Sequence, residues 1–180
     1  MKQKKGLQGS NDDDRRNLIL EAALDCFLKF GFGKTSLDDI ARAANISRPL
    51  IYLKFKNKDE IFKGAFEYLV ADGFSEVEKV LKSDSSKREK LLAIYNELIL
   101  KPWDKVMDKP MASEFYEVCA QLFPEVSDRH EKSILKLVNS VLQNKEDSEA
   151  FTLAVVGFQS DIPSTKILAK RIELLAERFL

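Results

Sequence analysis

The residues best suited to do chemistry lie between Lys34 and Lys58, and that chemistry is the gripping and reading of a polyanion. Lys34, Arg42, Arg48, Lys54, Lys56 and Lys58 face only Asp38 and Asp39 in this stretch, whereas the 180-residue chain is formally neutral. A basic island on a neutral protein is the footprint of one face that meets phosphates, because each neutralised phosphate releases condensed counterions. Elsewhere the sequence offers little to a reaction. His130 is the single histidine, Cys26 and Cys119 lack a C-x-x-C partner, and no serine sits in a nucleophile-elbow setting. The expectation is no metal, no cofactor and no catalytic residue. Cys26 falls in the apolar stripe Ile19, Ala23, Cys26, Phe27 and Phe30 and reads as core. Cys119 reads as a buried structural thiol, with a redox sensor as the alternative.

Two short helices must position the basic residues. Ser36 precedes the apolar pattern Leu37, Ile40, Ala41 and Ala44, and Asp39 follows it by three. That is a capping-box signature, which predicts a helix from about Leu37. Asn45 stands where the chain must reverse, and Asn tolerates the left-handed backbone that such a turn needs. Ser47 then reads as the N-cap of a second helix, with Ile46 stapling onto Ile51 and Pro49 in the first turn, where its missing N–H costs nothing. Ile51 and Phe55 turn inward at helical spacing, leaving Arg48, Pro49, Leu50, Tyr52 and Lys54 on or near the outer side. A cation, an aromatic hydroxyl and an apolar wedge project together from a helix-turn-helix.

The flanking residues extend this pattern. Ala23, Leu24, Phe27, Gly31 and Phe32 form A-L-x-x-F-x-x-x-G-F, followed by T-S-x-x-x-I-A, I-S-R-P-x-I-Y and F-x-N-K-x-E-I. From Arg15 to about Leu69 the chain thus resembles the N-terminal DNA-binding domain of the TetR family of bacterial transcriptional regulators. The resemblance implies that Tyr52 and Lys58 grip the phosphate backbone, that Thr35 or Ser36 does so from the first helix, and that Arg48, Pro49 and Leu50 face base edges. With the basic island and the cap, the candidate DNA-contacting set is Lys34, Thr35, Ser36, Ser47, Arg48, Pro49, Leu50, Tyr52, Lys54 and Lys58. Three positions depart from the family pattern: Asn45 replaces the usual glycine, Leu53 a common aromatic and Lys54 a frequent histidine, so no operator sequence carries over.

Around this head the chain reads as all-α, with about nine helices. Residues 1–11 read as a polar arm or fraying terminus, 12–57 as a three-helix DNA-binding domain, and 58–180 as a regulatory domain. The lysines near the start are not followed by the apolar run of a signal peptide, and no stretch is apolar for the length of a membrane span. A soluble cytoplasmic protein is expected. Asn57 and Glu60 signal a long helix to about Leu81 that carries Ile61, Phe62, Ala65, Leu69 and Val70. Gly64 and Gly73 weaken it, or permit close packing. Ser83 to Ser86 break the pattern, and a helix through Leu91, Leu92, Tyr95, Leu98 and Ile99 should kink or end at Pro102.

Tyr95, Trp103, Met107, Met111, Phe115, Cys119 and Phe123 form an aromatic and sulfur-rich stretch interrupted by Pro102 and Pro110. Proline breaks leave gaps, and methionine with aromatics makes adaptable walls; the same residues also suit a plain core. The TetR resemblance implies an inducer site here, with Asn96, Glu97, Glu114, Gln121 and His130 as candidate orienting groups. Near the C-terminus, Phe151, Ala154, Val155 and Phe158 form one apolar stripe and Leu168, Ile172, Leu175 and Phe179 another, the second widened by Ile167 and Leu174. The extra width suggests burial against a second chain, and the resemblance implies a four-helix dimer interface that includes Phe151, Val155, Phe158, Leu168, Ile172, Leu175 and Phe179. The sequence therefore points to a homodimeric regulator, a repressor released from double-stranded operator DNA by a small apolar or aromatic effector. The competing readings are a constitutive or architectural DNA-binding dimer and a helical-bundle enzyme.

Overall fold

The computed structural model describes residues 6–180, with side chains from Asp12 onward, and among the described residues every regular element is helical. The order is α1 (Gly6–Phe30), α2 (Leu37–Ala43), α3 (Arg48–Lys54), α4 (Lys58–Leu81), α5 (Lys87–Tyr95), a π-helical segment (Asn96–Leu100), α6 (Lys101–Met107), α7 (Ala112–Leu122), α8 (Pro124–Leu142), α9 (Lys145–Phe158) and α10 (Thr165–Phe179). Because α5, the π segment and α6 run on without a break, the described chain forms nine continuous helices. Residues 6–11 of the expected arm belong to α1; residues 1–5 lie outside the described residues.

The helix boundaries follow from local chemistry. Ser36 accepts from the Asp39 N–H while the Asp39 carboxylate accepts from the Ser36 N–H, and Ser86 and Glu89 repeat this box ahead of α5. Asn57 Oδ1 accepts from Glu60 N at 2.9 Å and starts α4. Asn144 and Ser164 cap α9 and α10 in the same way, each with its side chain accepting from a backbone N–H three residues on. Each such cap satisfies an orphan donor and is worth about 1 kcal/mol.

The chain divides into two compact units. One runs up to Leu69 and takes in Lys109–Cys119; the other comprises Val70–Asp108 and Ala120–Leu180. The boundary expected at residues 57/58 thus lies inside α4. The reason is the first half of that helix, whose Ile61, Phe62 and Ala65 are completely buried. Phe62 meets Phe27, Phe32 and Phe115 with ring centroids 5.0 to 5.1 Å apart. This aromatic cluster, with Ile19, Ile40, Ile51 and Phe55, is the core of the first unit.

The second unit is organised around α5, α8, α9 and α10. Phe151 stacks against Tyr95 and Phe179, the Tyr95 hydroxyl pairs with Thr152, and the Trp103 indole donates to Pro163 O at 2.9 Å. Pro102 does not end its helix, one of the two outcomes expected of it. It sits in the first turn of α6, after a π turn in which Lys101 N–H bonds Asn96 O. Lacking an N–H, Pro102 cannot donate to the Leu98 carbonyl, and His130 Nε2 does so instead at 3.1 Å. Gly73 is needed here because a Cβ would stand 2.6 Å from Glu97 O.

Candidate nucleic-acid interface

The reading head is a pair of seven-residue helices fixed by their ends. Asn45 adopts φ 53° between them, the left-handed turn expected of it. Ile40 and Ala41 of α2 and Ile51 of α3 are buried, and Phe55 closes α3 from the core side. Ser47 occupies the N-cap position of α3 with extended backbone, yet its hydroxyl makes no capping bond, so Ser47 remains an exposed polar group. Pro49 stands in the first turn of α3, as expected.

On the outer side of α3 the cations are not idle. Arg48 Nη1 bonds Asp38 of α2 at 2.9 Å, and its Nη2 donates to the Tyr52 hydroxyl at 3.1 Å. The guanidinium carbon lies 5.7 Å from the Tyr52 ring centre. Lys54 pairs with Asp12 of α1. Arg42 pairs with Asp39, whose carboxyl is held below its ordinary pKa mainly by its hydrogen bonds with Ser36. Exposed pairs of this kind contribute about 0 to 1 kcal/mol and give way readily to a phosphate or a base edge. Lys34 and Lys56 are exposed beside them.

Four candidate residues are not exposed like the rest: Thr35 is buried, and Leu50, Lys54 and Lys58 are half-buried. Thr35 is 2% exposed and donates its hydroxyl to Cys26 O and Gly31 O, so it is a structural residue; Ser36, next to it, is the exposed hydroxyl. This corrects the phosphate role expected of Thr35. Buried against the end of α1, its hydroxyl is satisfied by one carbonyl of that helix and one of the turn after it. Lys58 is half-buried, with Nζ donating to Phe32 O and Thr35 O over the Phe32 ring. In this conformation its ammonium holds the same turn together, alongside any contact with DNA.

Glu114 belongs to that turn as well. Its Oε1 accepts from Phe32 N at 2.9 Å, and a Cβ on Gly31, at φ 84°, would strike its carboxylate at 2.6 Å. Glu114, expected among ligand-orienting groups, instead accepts from an N–H of the turn that follows α1. The other expected pocket residues fall in both units: Met111, Phe115 and Cys119 in the first, and Tyr95, Trp103, Met107 and Phe123 in the second. Tyr95, Trp103, Phe115, Cys119 and Phe123 are buried, and Met107 and Met111 half-buried. A separate open cleft of about 680 Å³ in the first unit is lined by Cys26, Phe30, Arg42 and Lys109 among others, and by none of those seven. Both cysteines are buried, and burial pushes the Cys26 thiol above its ordinary pKa, as suits a core residue.

The C-terminal helices require a further correction. Phe151, Val155, Leu168 and Ile172, expected at a dimer interface, are at most 1% exposed within the chain's own core. Phe158, Leu175 and Phe179 are half-buried. The strongest apolar stripe is the one a helix uses to pack on its own chain. What remains exposed on α9 and α10 is a second set, Leu153, Val156, Ile167 and Leu174.

Such a head, a capped helix and a second short helix across a left-handed turn with a basic outer face, defines a helix-turn-helix DNA-binding regulator. Residues 19–65 match the family described as bacterial regulatory proteins, tetR family. An uncharacterized HTH-type transcriptional regulator of Bacillus subtilis, YhgD, is 30% identical over 132 residues, which span 73% of this chain and 69% of that protein. The chain belongs to the tetR family of transcriptional regulators. A TetR-like regulator from Rhodococcus shares its fold with 26% identity and a TM-score of 0.58, over 91% of this chain and 94% of that one. FadR from Bacillus subtilis, crystallised with stearoyl-CoA, does so with 17% identity and a TM-score of 0.66, over 91% and 98%. No helix among the described residues is long and apolar enough to cross a membrane.

Proposed function

We propose that this regulator is a homodimeric repressor that leaves its operator when a small, largely apolar molecule binds the second unit. The observation that carries the reading is α3, which holds Arg48, Pro49 and Tyr52 exposed together beside Ser36 and Lys34 while its inner side is locked by Ile51. Arg48 is the group able to make a bidentate contact to guanine, and Ser36, Ser47, Tyr52, Lys34, Lys54 and Lys58 are the phosphate-contacting set. Two such heads are needed, because one seven-residue reading helix contacts only a few base pairs. Leu153 and Val156 of α9 with Ile167 and Leu174 of α10, each 43 to 68% exposed, supply the face that a second copy would cover. For the effector, the buried aromatic residues Tyr95, Trp103 and Phe123 favour an apolar body, such as the acyl chain of the stearoyl-CoA crystallised with the similarly folded FadR. The ligand acts by population shift: it lowers DNA affinity only as far as it prefers the conformation whose two reading helices no longer match successive grooves.

Selection of bound fragments from random double-stranded DNA, with and without long-chain acyl-CoA or an aromatic metabolite extract, tests this reading. The expected product is a two-fold symmetric site bound by two chains and released by one of the additions. Enrichment of no sequence would overturn the reading; a site insensitive to every addition would identify a constitutive DNA-binding dimer.

A further inference from the structure

Leu53 is 78% exposed, more than any other large apolar side chain recorded as exposed, and it lies on the reading helix itself. A single exposed leucine is ordinary on a protein surface, so exposure alone assigns it nothing. Its register is the informative feature. In α3, Ile51 faces the core, Arg48 and Tyr52 are one turn apart and joined by a hydrogen bond, and Pro49 and Leu53 are the next pair one turn apart. The exposed side of this helix therefore carries a polar stripe, Arg48 and Tyr52, alongside an apolar stripe, Pro49 and Leu53.

We propose that Leu53, with Pro49, reads thymine methyl groups on the floor of the major groove. This rests on the DNA-binding reading above and names a specificity element within it. The argument is chemical. Phosphates and the donors and acceptors of the base edges offer an isobutyl group only polar atoms to desolvate, and the C5 methyl of thymine is the apolar group that the major-groove edge of a base pair presents. With Arg48 suited to guanine on the adjacent stripe, the helix would distinguish a guanine next to thymine from every other pair of neighbours.

Replacing thymines of the selected operator one at a time by uracil deletes the methyl group and leaves base pairing intact. The wild-type protein should lose about three- to fivefold in affinity at one or two positions of each half-site, the worth of one buried methyl group. Leu53→Ala should bind the thymine operator more weakly by a similar factor and be indifferent to uracil at those positions. Arg48→Ala should remain sensitive to uracil there. Because Leu53 is outside the core, its variant should melt at the wild-type temperature, which separates a lost contact from a damaged fold. The proposal fails if every uracil substitution is neutral, if Leu53→Ala keeps the wild-type sensitivity, or if the selected site lacks thymine in both half-sites. Failure of the wild-type protein to enrich any DNA would instead remove the DNA-binding reading, and this inference with it.

Discussion

The outer surfaces of α3 and of α9 with α10 are built on opposite plans. On α3 the cations are tied to carboxylates borne by other helices, exposed Arg48 to Asp38 and half-buried Lys54 to Asp12. On α9 and α10 the exposed side chains include Leu153, Val156, Ile167 and Leu174, apolar groups that only another apolar surface can satisfy. The first plan suits a surface that exchanges partners. Each ion pair costs little to break, and the partner that breaks it supplies a negative charge in place of the carboxylate. The second suits a surface that loses its water once and stays covered, since apolar burial contributes roughly 25 cal/mol per Å² and has no exchange partner in solution.

The sharpest way to break this comparison is to place a charge on each stripe of α10. Leu168→Glu buries a carboxylate at a fully enclosed site and should cost several kcal/mol, leaving little folded protein in a thermal melt followed by circular dichroism. Leu174→Glu, 49% exposed, should melt nearly as the wild type and sediment as a monomer. Equal melting of the two variants would erase the distinction between the inner and outer stripes. Next in size is Phe151→Ala, which removes the ring between Tyr95 and Phe179 and should destabilise the chain by about 3 to 5 kcal/mol in denaturant titration.

Ser36→Ala removes one half of the capping box of α2 and should cost about 1 kcal/mol, with weaker DNA binding as α2 frays. A cost near zero would mean that packing of Ile40 alone holds the helix. In the second unit His130 gives a pH signature. Burial lowers its pKa below the ordinary 6.5, partly offset by the bond to Leu98 O. The unfolded chain then takes up the proton first on acidification, so stability present above about pH 6.5 falls below it. His130→Gln, whose amide can still donate to Leu98 O, should flatten that fall between about pH 5 and 7 in melts across pH. The smallest effect on stability, within about 0.5 kcal/mol, is expected for Asp38→Asn. Its consequence should appear in DNA binding, where the released Arg48 strengthens non-specific affinity and steepens the salt dependence by about one unit of slope. An unchanged slope would show that Asp38 and DNA do not compete.

Much of the reading head was legible because its signals are local. Ser36 with Asp39, Asn45, Pro49 and Asn57 with Glu60 each act within four residues, and each appears where its type and spacing place it. The outward position of Arg48, Pro49 and Tyr52 follows from the same short period, whereas Leu50 and Lys54, expected beside them, are half-buried. Thr35 and Lys58 were less legible, because the carbonyls that engage them belong to the end of α1 and the turn after it and, for Lys58, lie 23 and 26 residues away. Glu114 is further still, 82 residues from the N–H it satisfies.

By itself the sequence determined where helices begin and end, that they bury one side, and that one short segment is basic and outward-facing, since caps, turns and periodicity act between near neighbours along the chain. Only the tertiary structure decided which of two apolar stripes on α9 and α10 belongs to the chain's own core. It also decided which carboxylate holds which cation, and that Pro102 continues its helix through a π turn with His130 as a substitute donor. Those outcomes depend on residues such as Tyr95 and Thr152, 57 apart, or Trp103 and Pro163, 60 apart, whose meeting is set by how whole helices pack.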